Sequence, residues 1–157
     1  MADNVAQLLQ RAWRQLHLAI QEFERVPGVA NLHAVRIKTK SLRYALELRE
    51  RFYPNKKLEG LSALLKEIQD RIGDWHDELI LSSLVRRALS ESHAVSDPNA
   101  AKVVEGTKEQ EIAMADAARG YLLSMQEREQ YKRLRRVVSA AIYATSNDNN
   151  TDTVSLH

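Results

Sequence analysis

The chain has 157 residues, enough to bury a proper core in one domain, and its 44% hydrophobic and 28% charged content is that of a water-exposed globular protein. A net charge of +2 leaves any anion-binding role to local arrangement rather than overall charge. The absence of cysteine excludes disulfide and thiolate chemistry, and no apolar run approaches the 18 residues or so of a membrane span.

The start, MADNVAQLLQRAW, lacks a basic segment leading into an apolar one, so no signal peptide is expected and a cytoplasmic protein is the default. From about Asn4 to Val26 the residues Val5, Leu8, Leu9, Ala12, Leu16, Ala19, Ile20 and Phe23 recur at threes and fours, which predicts an amphipathic helix with Trp13 at its core-facing edge. Pro27-Gly28 ends it.

A second helix is predicted from about 29 to 53, and its stretch His33–Tyr53 carries the most informative pattern in the chain. On a helical wheel His33, Arg36, Lys40 and Arg43 fall at roughly 0°, −60°, −20° and −80°. Four donors thus share one face and climb about 15 Å at 1.5 Å per residue. Lys38 projects about 140° away. Six Lys/Arg stand against two Glu in this stretch, so a face of stacked like charges wants a bound anion or acidic neighbours. Arg36 and Arg43 suit bidentate contact with phosphate, Lys40 a point charge, and His33 a donor that gains a proton near neutral pH. The apolar side comprises Val35, Leu42, Ala45, Leu46 and Phe52, with Ile37 and Leu48 on one flank.

After Pro54-Asn55 a third helix is predicted from about Lys57 to Ile72. Gly73 reads as its C-cap position and Asp74 as the N-cap of a fourth helix, Trp75 to about Leu89. Within Gln69–Asp77 the groups Asp70, Asp74, His76 and Asp77 are candidates to reach the basic helix, fixing its arginines or holding a metal. Asp97-Pro98 forms an N-cap and N1 pair for a helix to about Leu123. Ser124–Glu127 has the form of a capping box before a last helix to about Tyr143. That helix carries a second basic cluster, Arg128, Lys132, Arg133, Arg135 and Arg136, which is either a solvated face or a secondary anion contact. The polar tail 146–157 is expected to be disordered, leaving 1–145 as a single all-α bundle of about six helices.

HxxR at His33–Arg36, KxLRYxLEL at Lys40–Leu48 and LLKxIQDxIGxxHD at Leu64–Asp77 together resemble the CHAD family, the conserved-histidine α-helical domain. The resemblance implies a helical bundle with a basic channel or surface that binds inorganic polyphosphate without catalysis or cofactor, in the cytoplasm or at polyphosphate granules. It implies His33, Arg36, Lys40 and Arg43 as phosphate contacts. Tyr44 and Glu47 would be positioning members, and Asp70, Gly73 and Asp77 the turn facing them. Family members usually hold two such halves, and the motifs here resemble the second. One ladder per chain therefore leads to the expectation of a two-fold homodimer, the alternative being that Leu122, Leu123, Val137, Val138 and Ile142 cover the open surface. Two other functions compete: an HD-type metal-dependent phosphohydrolase using His33, His76 and Asp77, and a nucleic-acid-binding helical module.

Overall fold

The computed structural model describes residues 2–91 and 96–148, with side chains over 4–91 and 96–140. Five helices follow one another: α1 (Ala2–Arg25), α2 (Val29–Phe52), α3 (Leu61–Glu91), α4 (Pro98–Glu127) and α5 (Glu129–Asp148), with a 3-10 turn at Lys56–Leu58 before α3. No strand occurs among the described residues, so the fold is all-α.

The predicted stripe of α1 is its buried face: Leu9, Ala12, Leu16, Ile20 and Phe23 are closed off from solvent, whereas Leu8 at the stripe's edge is 43% exposed. They meet Leu32, Val35, Leu42, Ala45 and Leu46 of α2 in one core cluster. Asn31 ties the connection by donating its amide to the Val26 carbonyl at 2.8 Å. Phe52, expected in the core, lies 55% exposed at the end of its helix, where nothing packs over it. Thr39 is fully buried instead. Its hydroxyl donates to the Val35 carbonyl at 2.8 Å, so the polar atom is satisfied within the helix and its methyl joins the core.

Gly73 does not end a helix, and Asp74 caps none. Residues 61–91 form one unbroken α3, which merges the two helices expected on either side. Glycine in a helix interior costs about 0.5–1 kcal/mol relative to alanine. Burial of Leu64, Leu65, Ile68 and Ile72 before it and Leu79 after it outweighs that local preference. Arg36 of α2 passes close by: a Cβ built at Gly73 would lie 3.4 Å from Arg36 Nε, an ordinary van der Waals contact. A turn does need glycine at Gly60, whose φ of +79° lets the chain pass from the 3-10 turn into α3.

Asp97 caps α4 as expected, accepting from the Asn99 N–H at 2.9 Å, with Pro98 in the first helical position. The Ser124 capping box does not form, because α4 runs through Ser124 to Glu127. The break falls at Arg128, whose extended ψ of 141° redirects the chain. That turn lets Met125 of α4 and Tyr131, Leu134 and Val138 of α5 bury against the α1–α3 core. Helix α5 continues to Asp148, so residues 146–148 of the expected tail are helical, and 149–157 lie outside the described residues. Among the described residues, none in 83–91 or 98–113 is buried. This part of α3 and α4 forms a projecting hairpin held by an Arg86–Glu111 ion pair at 2.7 Å.

Candidate functional site: the α2–α3 face

Helices α2 and α3 run antiparallel, and three contacts fix their register. His33 and His76 meet with their rings tilted by 33° and centroids 4.9 Å apart. Three residues further along α2, Arg36 crosses Gly73, three residues back along α3. Eleven further along, Glu47 accepts from Ser62 Oγ at 3.0 Å, eleven residues before Gly73. Equal steps in opposite directions mean that the two helices pair like a zipper. The same count sets Gln69 against Lys40 and Lys66 against Arg43.

This register puts the cations on one rim of a cleft of about 360 Å³ lined by His33, Arg36, Ile37, Lys40, Tyr44 and Gln69. Lys40 and Arg43 both reach the Tyr44 ring, at 5.6 and 5.1 Å from its centroid, which steers two flexible side chains toward the same place. Arg43 Nε lies 3.4 Å from Glu47 Oε1 but makes no aligned hydrogen bond. Arg36 Nε is buried and also lacks a partner, as does Gln69 Oε1. Among the described residues, Glu47 is the one carboxylate that pairs with the ladder. Lys38 points the other way and donates to Gln15 Oε1 of α1 at 3.2 Å.

The acidic candidates are divided. His76 reaches α2 through His33, and its Nδ1 lies 3.2 Å from Asp77 Oδ1, an arrangement that orients the ring. Asp77 itself is 76% exposed. Asp70 pairs within its own helix, with Lys66 at 2.5 Å, and Asp74 stands exposed without a described partner. Neither meets the ladder. No group of three or more His, Asp or Glu side chains is placed to hold a metal ion among the described residues.

Sequence reasoning passed over Gln69, Lys66 and Ser62. The signal that identifies them is a mirrored spacing: positions 62, 66, 69, 73 and 76 repeat in reverse the intervals of 33, 36, 40, 43 and 47. A face-to-face helix pair requires that symmetry of intervals.

The comparisons bear on this part of the molecule. The family model for the CHAD domain matches residues 1–86, which contain α1, α2 and most of α3 and hence the whole zipper. The chain belongs to the CHAD domain family. Curated proteins and solved structures give no match. Helices α4 and α5 lie beyond the matched part of this CHAD protein, yet they complete its core through Met114, Ala118, Leu122, Tyr131, Leu134 and Val138. Of the residues expected to cover the open surface, Leu122 and Val138 are buried and Val137 is half-buried. Leu123 is 48% exposed, and the side chain of Ile142 lies outside the described residues.

The cations of α5, with Arg128 at the break before it, have different surroundings. Arg128 donates to Glu67 at 2.7 Å, Lys132 lies 3.3 Å from Glu127, and Arg136 is bonded to Glu129. These contacts raise the Arg128 pKa above its ordinary value and hold the Glu129 carboxyl below its own. Arg133 donates to the Glu59 carbonyl at 2.6 Å, and Arg135 sits over the Tyr131 ring at 6.0 Å. No described helix is long and apolar enough to cross a membrane.

Proposed function

We propose that the α2–α3 face binds inorganic polyphosphate, or a polyanion of similar charge spacing, without transforming it. The observation carrying this reading is the cleft that His33, Arg36 and Lys40 line together, with Arg43 next along the same face and Glu47 as the one described carboxylate that pairs with these cations. Donors gathered on one helix face before the ligand arrives need little backbone ordering on binding. Half a turn of the Gln69 amide presents its NH2 to a phosphate oxygen. Polyphosphate repeats its charge along a flexible chain, and a rigid ladder about 15 Å long meets several phosphates at once.

Titration with polyphosphate, single-stranded DNA and duplex DNA at equal phosphate concentration tests the reading. Polyphosphate should bind tightest, with an affinity that falls steeply as salt rises. Equal binding of duplex DNA would replace it with the nucleic-acid reading. The phosphohydrolase alternative needs a further carboxylate beside His33 and His76. Metal retained through purification, with release of phosphate, would favour it.

We also infer that a second copy covers the groove beside the ladder, where Leu8, Tyr44 and Leu48 remain 37–49% exposed around a concavity of about 380 Å³. An isologous contact there would bring two ladders together. Light scattering with and without polyphosphate decides it. A mass of 17.9 kDa in both conditions would leave each ladder working alone.

A further inference from the structure

A second concave region lies elsewhere on the bundle, between α5, the 3-10 turn and the end of α2. Two adjoining hollows of about 220 and 240 Å³ share Lys57, Val137 and Ala140 and so form one cleft. Its floor is apolar, made by Leu9, Leu58, Val137 and Ala140. Its rim is cationic, made by Arg49, Lys57, Arg133 and Arg136.

What neutralises that rim is sparse. Arg136 is bonded to Glu129. Arg49 instead donates to the Tyr53 carbonyl at 2.6 Å and lies over the Tyr53 ring at 4.9 Å. Arg133 donates one nitrogen to the Glu59 carbonyl, while its Nε is buried without a partner. The Lys57 ammonium has no described partner. Among the described residues, three of the four cations thus form no ion pair with a carboxylate, and two of those three are held in place by backbone carbonyls. A purely inorganic anion would leave the apolar floor bare to water, and a neutral apolar ligand would leave the cations unanswered.

We propose that this cleft binds a small amphiphilic anion, with a carboxylate or phosphate monoester head between Lys57 and Arg133 and an apolar body over Leu9, Leu58, Val137 and Ala140. The site is separate from the ladder: α2 presents Arg49 roughly 160° around the helix from His33. It also uses α5, beyond the matched part of the family.

Calorimetric titration of the full chain with decanoate and with decyl phosphate tests the proposal, with decanol and tripolyphosphate as controls. Both amphiphiles should bind at one site per chain, and whichever is tighter identifies the head. Decanol should bind at least tenfold more weakly, and tripolyphosphate should not displace decanoate. Arg133→Met should weaken decanoate binding about tenfold or more. Lys57→Met, at an exposed position without a described partner, should weaken it in the same sense and tests the rim even where Arg133→Met fails to fold. Ala140→Trp should abolish binding by filling the floor while keeping every cation. No saturable binding of either amphiphile, equal binding of decanol, or displacement by tripolyphosphate would each overturn the assignment.

Discussion

Two helices of this CHAD protein carry clustered cations, and they differ in what answers the charge. At the break before α5 and along it, Arg128, Lys132 and Arg136 each face a carboxylate, Glu67, Glu127 and Glu129 in turn. On α2 the ladder of four has Glu47 beside Arg43 and no other carboxylate among the described residues. Counting Lys and Arg would rank the two alike. Pairing separates them, because a guanidinium already bonded to a carboxylate must break that contact before it takes a phosphate. The α5 pairs are exposed, and such pairs add at most about 1 kcal/mol to stability. Their effect is to make most of that face electrostatically quiet.

The widest separation between the two helices should appear in polyphosphate affinity. Arg36→Ala, Lys40→Ala and Arg43→Ala should each weaken binding about tenfold or more, since a charge-assisted contact contributes roughly 1.5–3 kcal/mol. Arg128→Ala and Lys132→Ala should change it less than about threefold. Equal losses on both helices would mean diffuse attraction and erase the distinction. Lys38→Ala supplies a control on α2 itself, because that ammonium faces Gln15 of α1.

A second contrast concerns stability in alkali, where α5 should matter and the ladder should not. Burial pushes the Tyr131 hydroxyl up to about 12, and its oxygen has no hydrogen-bond partner. A raised pKa favours the neutral form in the folded state. Its contribution is therefore fully present below the ordinary tyrosine pKa, about 10, and is lost as pH rises through the folded value near 12. Thermal melts at about pH 8 and 11 should show part of this loss, on the order of 1–2 kcal/mol at the higher pH. Tyr131→Phe should remove that part of the pH dependence, and an unchanged profile would place the titrating group elsewhere.

Smaller effects should come from Gly73. Alanine there meets Arg36 Nε at an ordinary contact distance of 3.4 Å, so Gly73→Ala should stabilise α3 by about 0.5–1 kcal/mol with binding nearly intact. Gly73→Leu should displace Arg36 and lose affinity with little change in helix content by circular dichroism. The mildest expected effect is at the N-terminal end of the ladder: His33→Gln should weaken polyphosphate binding a few-fold, and an unchanged affinity would leave His33 only its ring contact with His76, 4.9 Å away.

Periodicity made the helical faces legible in the sequence, from Leu9 to Phe23 on α1 and from Val35 to Leu46 on α2, because burial at threes and fours leaves a trace in residue type. The ladder was legible for the same reason. Gly73 was misread because glycine's local preference for a helix end is overridden here by burial of Ile68 and Ile72 before it and Leu79 after it, which only the folded partners reveal. Thr39 was invisible because a polar residue that bonds its own helix leaves no apolar signal. Asp70 and Asp74 were expected at the ladder from their nearness in sequence to His76, but an uninterrupted α3 turns them to other faces. Lys66 and Gln69 became visible once the helices were laid in register.

The register also makes chain length unequal in its effects. The segment 53–60 joins α2 to α3 without taking part in their pairing, so a residue gained or lost at its exposed start, ahead of the buried Leu58, can be absorbed by the connection. A residue gained or lost between Ser62 and His76 has nowhere to go. Every rung on the far side of the change would slide by 1.5 Å and rotate by about 100°. Loss of one residue just before Gly73 would then carry either Gly73 away from Arg36 or Ser62 away from Glu47, however conservative the remaining residues. Variation in this face should therefore accumulate as substitutions, and variation in length should collect at the connection.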